Sequence, residues 1–305
     1  RCDELAWSHE LVLHLIELKN VEPDNDIDAL AAGFQSEIQR INDLLEPIGA
    51  RLMPTAMHPW MNPRIETRIW QCENAEIYTA YDRIFDCNRR GWANLQSMQL
   101  NVPFANDHEF ARLHAAVRLL LPILPALAAS SPIVEGGDAG WMDFRMESYL
   151  THQARVPLTM GKVIPDTASS RAAYERDILA PMYQEVGALD AQRILQHEWL
   201  NVRGAVPRFD RNAIEIRVID TQECPQADLA IAAAMTDILR TLYDEVNAPL
   251  PEQQAMETDV LVEIMHACIR SAEEAVIPEG KYLRLLGFSG RRCNAGELWH
   301  HLIGS

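Results

Sequence analysis

Residues 213–220, AIEIRVID, restrict the possible folds of this chain more than any other stretch. In an extended strand successive side chains point to opposite faces, so Ile214, Ile216 and Val218 share one face and Glu215 and Arg217 the other. The branched apolar face belongs in a core. The polar face is harder to place, because a carboxylate and a guanidinium in mid-strand are costly to bury unless they pair or bind something charged. Two readings follow. One is a structural ion pair on a solvated sheet face. The other is a metal-binding glutamate beside an arginine that holds phosphate or carboxylate, since the planar guanidinium fork meets two oxyanion atoms at once.

The rest of the chain alternates strands with long helices. Strands are expected at 10–18, 51–57, 92–104 and 197–202. Helices are expected at 28–45, 74–87, from 106 towards 129 with a break at Pro122 and Pro125, at 172–185 with a bend at Pro181, at 226–246 and at 256–273. Asn106 and Glu109 have capping-box spacing at a helix start. In strand 92–104 Gln99 and Asn101 fall on one polar face. The spacing lacks the regular units of a βαβ fold. The expected class is therefore α+β, a mostly antiparallel sheet with packed helices, in one domain over 1–305.

Charge and cysteine usage narrow the function. Asp and Glu total 44 against 27 Lys and Arg, a formal charge of −17, with no basic run longer than two residues. Such a surface repels nucleic-acid phosphates. The most apolar stretch, 119–129, is too short to span a bilayer and carries two prolines, and no signal peptide is recognised at the start. Six cysteines without a CxxC spacing point to a reducing, cytoplasmic setting. No nucleophile with a partner pattern and no Walker-type loop is present.

The segment NVRGAVPRFDRNAIEIRVIDTQECPQADLAIAAAM, 201–235, resembles the E-x-R strand and flanks of the glutamate–cysteine ligase type 2 family. SMQLNVPF, 97–104, is similar to the family's strand H-V-H-V-G in its Q-x-N variant, which exchanges imidazole for amide oxygens suited to hard cations. ASSPIVEGGDAGWMDFR, 129–145, resembles the segment of small residues, glycine–aspartate loop and arginine. Weaker matches are LIELKN around Glu17, with Glu22 less well matched, and TAMHPW, 55–60, with Thr55 and His58. The family's N-terminal G-x-E-x-E strand is not found, and it is expected upstream of Arg1.

The resemblance implies a glutamine-synthetase-like catalytic fold and an ATP- and Mg2+-dependent ligase that joins a carboxylate to an amine through an acyl phosphate. It implies metal contacts from Glu17, Glu215 and Gln99, and catalytic anion contacts from Arg217 and Arg145 beside Glu215. It implies nucleotide or cofactor contacts from Gln99, Asn101, His58, Arg203 and Arg208, with Glu135 and Asp138 near the site. The substrates are small molecules, with no nucleic acid or membrane partner, and a homo-oligomer is left open. Two other readings stand beside this one: a non-catalytic domain that kept the fold and binds a small molecule or a protein, and a metal-dependent hydrolase.

Overall fold

A computed structural model describes residues 5–304; Cys2 lies outside that range. Helices pack around small antiparallel sheets, so the α+β class holds in this coarse form. The expectation of a single main sheet is corrected. Among the described residues the strands form four separate sheets, three of them two-stranded hairpin-like pairs. These are β1 (Leu5–His9) with β2 (Ile16–Asn20), β4 (Ile133–Val134) with β5 (Gly137–Asp138), and β8 (Val276–Ile277) with β9 (Cys293–Asn294). The fourth sheet carries the polar strand. In it β7 (Ala213–Asp220) lies between β3 (Ser97–Pro103) and β6 (Ala205–Arg208), antiparallel to both.

The alternation read from 213–220 governs that sheet. Ile214, Ile216 and Val218 are all 0% exposed and belong to one contiguous core cluster. Residues directly opposite share a face, so Asn101 of β3 and Val206 of β6 flank Glu215. The register shifts between Met98 and Leu100, and Ser97 pairs with Asp220. Ser97 therefore lies on the opposite side from Asn101, and Gln99 sits in the bulge. The polar face expected for Gln99 and Asn101 is thus interrupted at Gln99.

The long helices follow local rules. Asp26 caps the helix Ile27–Leu45 by accepting from the Ala29 amide. Asn106 accepts from the Glu109 amide and Glu109 reaches back to the Ala105 amide, so the expected capping interaction starts the helix Asp107–Leu120. That helix tightens to a 3-10 turn at Leu121–Ile123, which contains Pro122, and resumes at Leu124–Ala128. The span Asp107–Ala128 is long and apolar enough to cross a membrane, yet 83% of its apolar window is buried inside the protein, as a core helix would be. The helical run from Arg171 widens to a π-helical segment at Glu175–Leu179 just before Pro181. Proline lacks the amide donor that a regular helix needs there.

Three expected strands are corrected. Residues 10–18 divide between β2 and the turn before it. Residues 51–57 contribute only a bridge from Met57 to Leu95. In 197–202 the chain forms the 3-10 turn Glu198–Leu200. Apolar residues alone do not make a strand; a partner strand must take up the backbone hydrogen bonds.

Candidate active site

On the polar face of β7, Glu215 is gripped from both sides. Arg208 Nη1 donates to Oε2 at 3.1 Å, Arg217 Nε donates to Oε1 at 3.1 Å, and Arg217 Nη2 also donates to Oε1. The Glu215 side chain is 5% exposed, and those of Arg208 and Arg217 are 15% and 16%. Burial alone would raise the Glu215 pKa, but the charge and hydrogen bonds of Arg217, then of Arg208, bring it below the ordinary value. Burial likewise works against Arg217, and the Glu215 charge and the adjacent Tyr149 hydroxyl raise it nonetheless. Arg208 Nε also lies 3.6 Å from the exposed Asp210 carboxylate, so two guanidiniums meet two carboxylates here, with Asn101 exposed on the same face.

Tyr149 and His152 back this cluster, and neither is marked by any motif in the chain. They lie in and after the short helix Phe144–Tyr149, with ring centroids 4.2 Å apart. His152 Nδ1 donates to the Tyr149 carbonyl at 2.6 Å, and the residue is only 3% exposed. Burial, with Arg217 and Arg89 nearby, lowers its pKa to about 4, so its ring is neutral at pH 7.

The other expected site residues scatter. Arg145 is 1% exposed; its Nε pairs with Asp220, and Asp220 also accepts from Ser131 Oγ at 2.7 Å and the Ser130 amide at 2.9 Å. It is the centre of a buried network and does not join Arg217 at Glu215. Arg203 donates to the Leu158 carbonyl and the Asn201 side chain and pairs with Asp166 at 3.3 Å, away from Glu215. His58 Nδ1 accepts the Met61 amide at 3.0 Å and so closes a turn. Glu17 is held across the β1–β2 pair by Ser8, 2.5 Å away, and by Lys19. Glu10, unmarked in the sequence, has its pKa raised by burial and then by Glu17. Glu22 and Asp138 are exposed, and Glu135 pairs with Arg90.

Of the expected metal set, Glu17 with Glu215 and Gln99, Glu17 is engaged by Ser8 and Lys19 and Glu215 by two guanidiniums. Among the described residues no group of three or more His, Cys, Asp or Glu side chains converges as metal ligands would. Both oxygens of Glu215 already face guanidiniums, which is a poor donor arrangement for Mg2+, a cation that demands several free oxygens. The same pair of forks suits phosphate or carboxylate oxygens well.

The Arg145 network yields a pH prediction. Asp143 caps the helix by accepting from the Met146 amide at 2.8 Å, and its carboxyl is fully buried beside Asp220. Burial and the Asp220 charge hold its pKa well above the ordinary 3.8, against the pull of Arg145. A folded pKa raised above the unfolded one gives stability that is complete below the unfolded value and is lost as pH rises through the folded value. Asparagine keeps the cap and has no proton to lose. Urea melts of wild type and Asp143→Asn from pH 4 to pH 8 are expected to favour the variant progressively as pH rises. A difference that does not change with pH refutes a protonated Asp143.

Similarity to known proteins agrees with the geometry at the level of family. The description "Glutamate-cysteine ligase family 2 (GCS2)" matches residues 3–277. An uncharacterised protein of Archaeoglobus fulgidus is 36% identical over 275 residues, which cover 90% of this chain and 71% of that protein. The match runs through the β3–β7–β6 sheet and the Glu215 cluster alike, and on that extent the chain belongs to glutamate–cysteine ligase family 2, a family of carboxylate–amine ligases.

Proposed function

We propose that this chain is an ATP-dependent ligase that activates a carboxylate as an acyl phosphate and joins it to an amine. The observation that carries the reading is the Arg208–Glu215–Arg217 cluster on a sheet face whose other side is core. Arg217 and Arg208 bind the oxyanions that crowd together when a carboxylate meets a phosphoryl group. Glu215 fixes both forks in place before the ligand arrives, so little reorganisation remains at the moment of reaction. Asn101, opposite Glu215 on the same face, offers an exposed amide to a polar substrate. In the reaction a carboxylate oxygen bonds to the γ-phosphorus as the bridging bond to ADP breaks. The amine nitrogen then bonds to the acyl carbon, phosphate leaves, and the nitrogen loses a proton.

ATP and Mg2+ are the cofactors of this reading. Magnesium screens the phosphate charge when bound, and no step is assigned to it because its ligands do not converge among the described residues. The fold is read as a glutamine-synthetase-like catalytic fold within one domain over 1–305, supported by the single contiguous core. The five described cysteines, all unpaired, fit a cytoplasmic setting.

One observation favours a second reading, a non-catalytic domain that retained the fold: the closed pairing of Glu215, both of whose oxygens are already engaged. A phosphate-release screen over acid and amine pairs with magnesium and ATP separates the two. The ligase reading expects release only when acid, amine and nucleotide are all present. No productive pair, together with no calorimetric signal for magnesium–ATP, overturns it in favour of the binder.

A further inference from the structure

His152, whose ring is tilted against Tyr149, also lines a cavity of about 570 Å³. Arg64, Arg89, Arg90, Glu135 and Phe144 contribute to its wall. Arg90 lies over the Phe144 ring, 5.7 Å from its centroid, and donates from Nε and Nη2 to the two oxygens of Glu135, each at 2.6 Å. This is the fork-to-fork geometry by which arginine recognises a carboxylate.

Two features set this pair apart from an ordinary surface bridge. Glu135 and Gly136 form the two-residue turn between β4 and β5, with φ of 50° and 83°. Such turns favour Asn or Gly at both positions, so glutamate is there at a cost in backbone strain that the turn does not explain. Arg89, beside Arg90, spends its hydrogen bonds on the main-chain carbonyls of Phe85, Asp86 and His152 and forms no ion pair among the described residues. Its positive charge at the cavity is uncompensated.

A second cavity of about 660 Å³ adjoins the first and shares Trp141, Glu147 and Thr151 with it. Its wall takes apolar Val262, Ala267 and Ile269 from the helix Thr258–Ser271 together with Lys162, His266 and Arg270, and Arg270 lies over the Trp141 ring, 5.4 Å from its centroid. Glu147 stands where the two meet, and its negative charge drives a carboxylate away from the junction and towards the arginines.

We propose that the two cavities form one bipartite site for a small organic acid with an apolar body. The carboxylate takes the place of Glu135 on Arg90 beside Arg89, and the body lies against Val262, Ala267 and Ile269. Glu135 is a built-in competitor that closes the fork when no acid is bound. The site does not depend on the ligase reading.

Calorimetric titration of the full chain, without nucleotide, tests this with 3-phenylpropionate, its amide, acetate and inorganic phosphate. The expected order is 3-phenylpropionate tightest, acetate weaker by tenfold or more, and no binding of the amide. Arg90→Met is expected to weaken the acid by tenfold or more, in the range for loss of a charge-assisted bidentate pair. Glu135→Gln is expected to tighten it several-fold, because the competing charge is gone while the turn is kept. Thermal melts of both variants confirm folding. Equal binding of acid and amide, preference for phosphate, no binding of any acid to the wild type and to Glu135→Gln, or weaker binding by Glu135→Gln each overturns the proposal. Because nucleotide is absent, failure here leaves the phosphate-release screen unaffected.

Discussion

Glu215→Gln is expected to lower turnover by about 10²-fold or more and to destabilise the fold by about 3–5 kcal/mol. The stability loss follows from the two guanidiniums that face this side chain, both largely shielded from water. Glutamine keeps one acceptor oxygen but presents an amide donor to the second arginine, so one buried cation is left without a partner. The turnover loss follows from the same fact, because the forks of Arg208 and Arg217 are no longer held in one geometry. The measurement pairs denaturant melts with phosphate release by the acid and amine that the screen identifies. Scaling turnover to the folded fraction separates the two effects. If stability falls and turnover per folded molecule does not, the cluster is a structural ion pair and the catalytic assignment fails. Calorimetry with magnesium–ATP adds a readout independent of turnover: a positioning role for Glu215 predicts weaker nucleotide binding by the variant.

Arg145→Met is expected to be comparably severe for stability, at about 3–5 kcal/mol, for a different reason. Arg145 is the cation beneath β7, and its Nε meets Asp220, whose other oxygen holds Ser131 and the Ser130 amide. Methionine fills much of the same space, so lost packing is a minor contributor. The main loss is an acidic pair, Asp143 and Asp220, buried with no counter-charge. Burial and Asp220 already raise Asp143, and Arg145 is among the groups that lower it; without Arg145 it is held higher still. The folded state of the variant therefore binds protons more tightly than the unfolded chain, and its stability falls as pH rises. Melts at pH 5 and pH 8 are expected to show the larger deficit at pH 8. An equal deficit at both values rules out the coupled acid pair as its source.

These two arginines mark the limit of what the sequence shows. Arg145 and Arg217 both read as anion-binding residues, and both occur in motifs that resemble the family's. Only the fold separates them: Arg217 edges onto a polar face, whereas Arg145 is enclosed with Asp220. The distinction depends on a carboxylate 75 positions away, and no local pattern reports such a partner. The surroundings of Glu17 and Gln99 are hidden from the sequence for the same kind of reason. Glu17 is held by Ser8 across its hairpin and by Lys19 on its own strand, and Gln99 falls in a bulge that changes the register of β3.

What the sequence determined by itself was whatever a short-range rule controls. Period-two alternation set the core face of β7 at Ile214, Ile216 and Val218 and put Glu215 beside Arg217. Period 3.6, with the capping-box spacing at Asn106, set the long helices to within a residue or two at most ends. The motif resemblance set the family, because it needs only residue identities in order. The tertiary structure alone decided the division into four sheets, the second arginine on Glu215, the backing by Tyr149 and His152, and the cavity at Arg89 and Arg90. Each of these depends on segments that the chain brings together from far apart. Their hydrogen bonds and charges are fixed by packing over the whole core, and local propensity carries no record of which distant partner arrives.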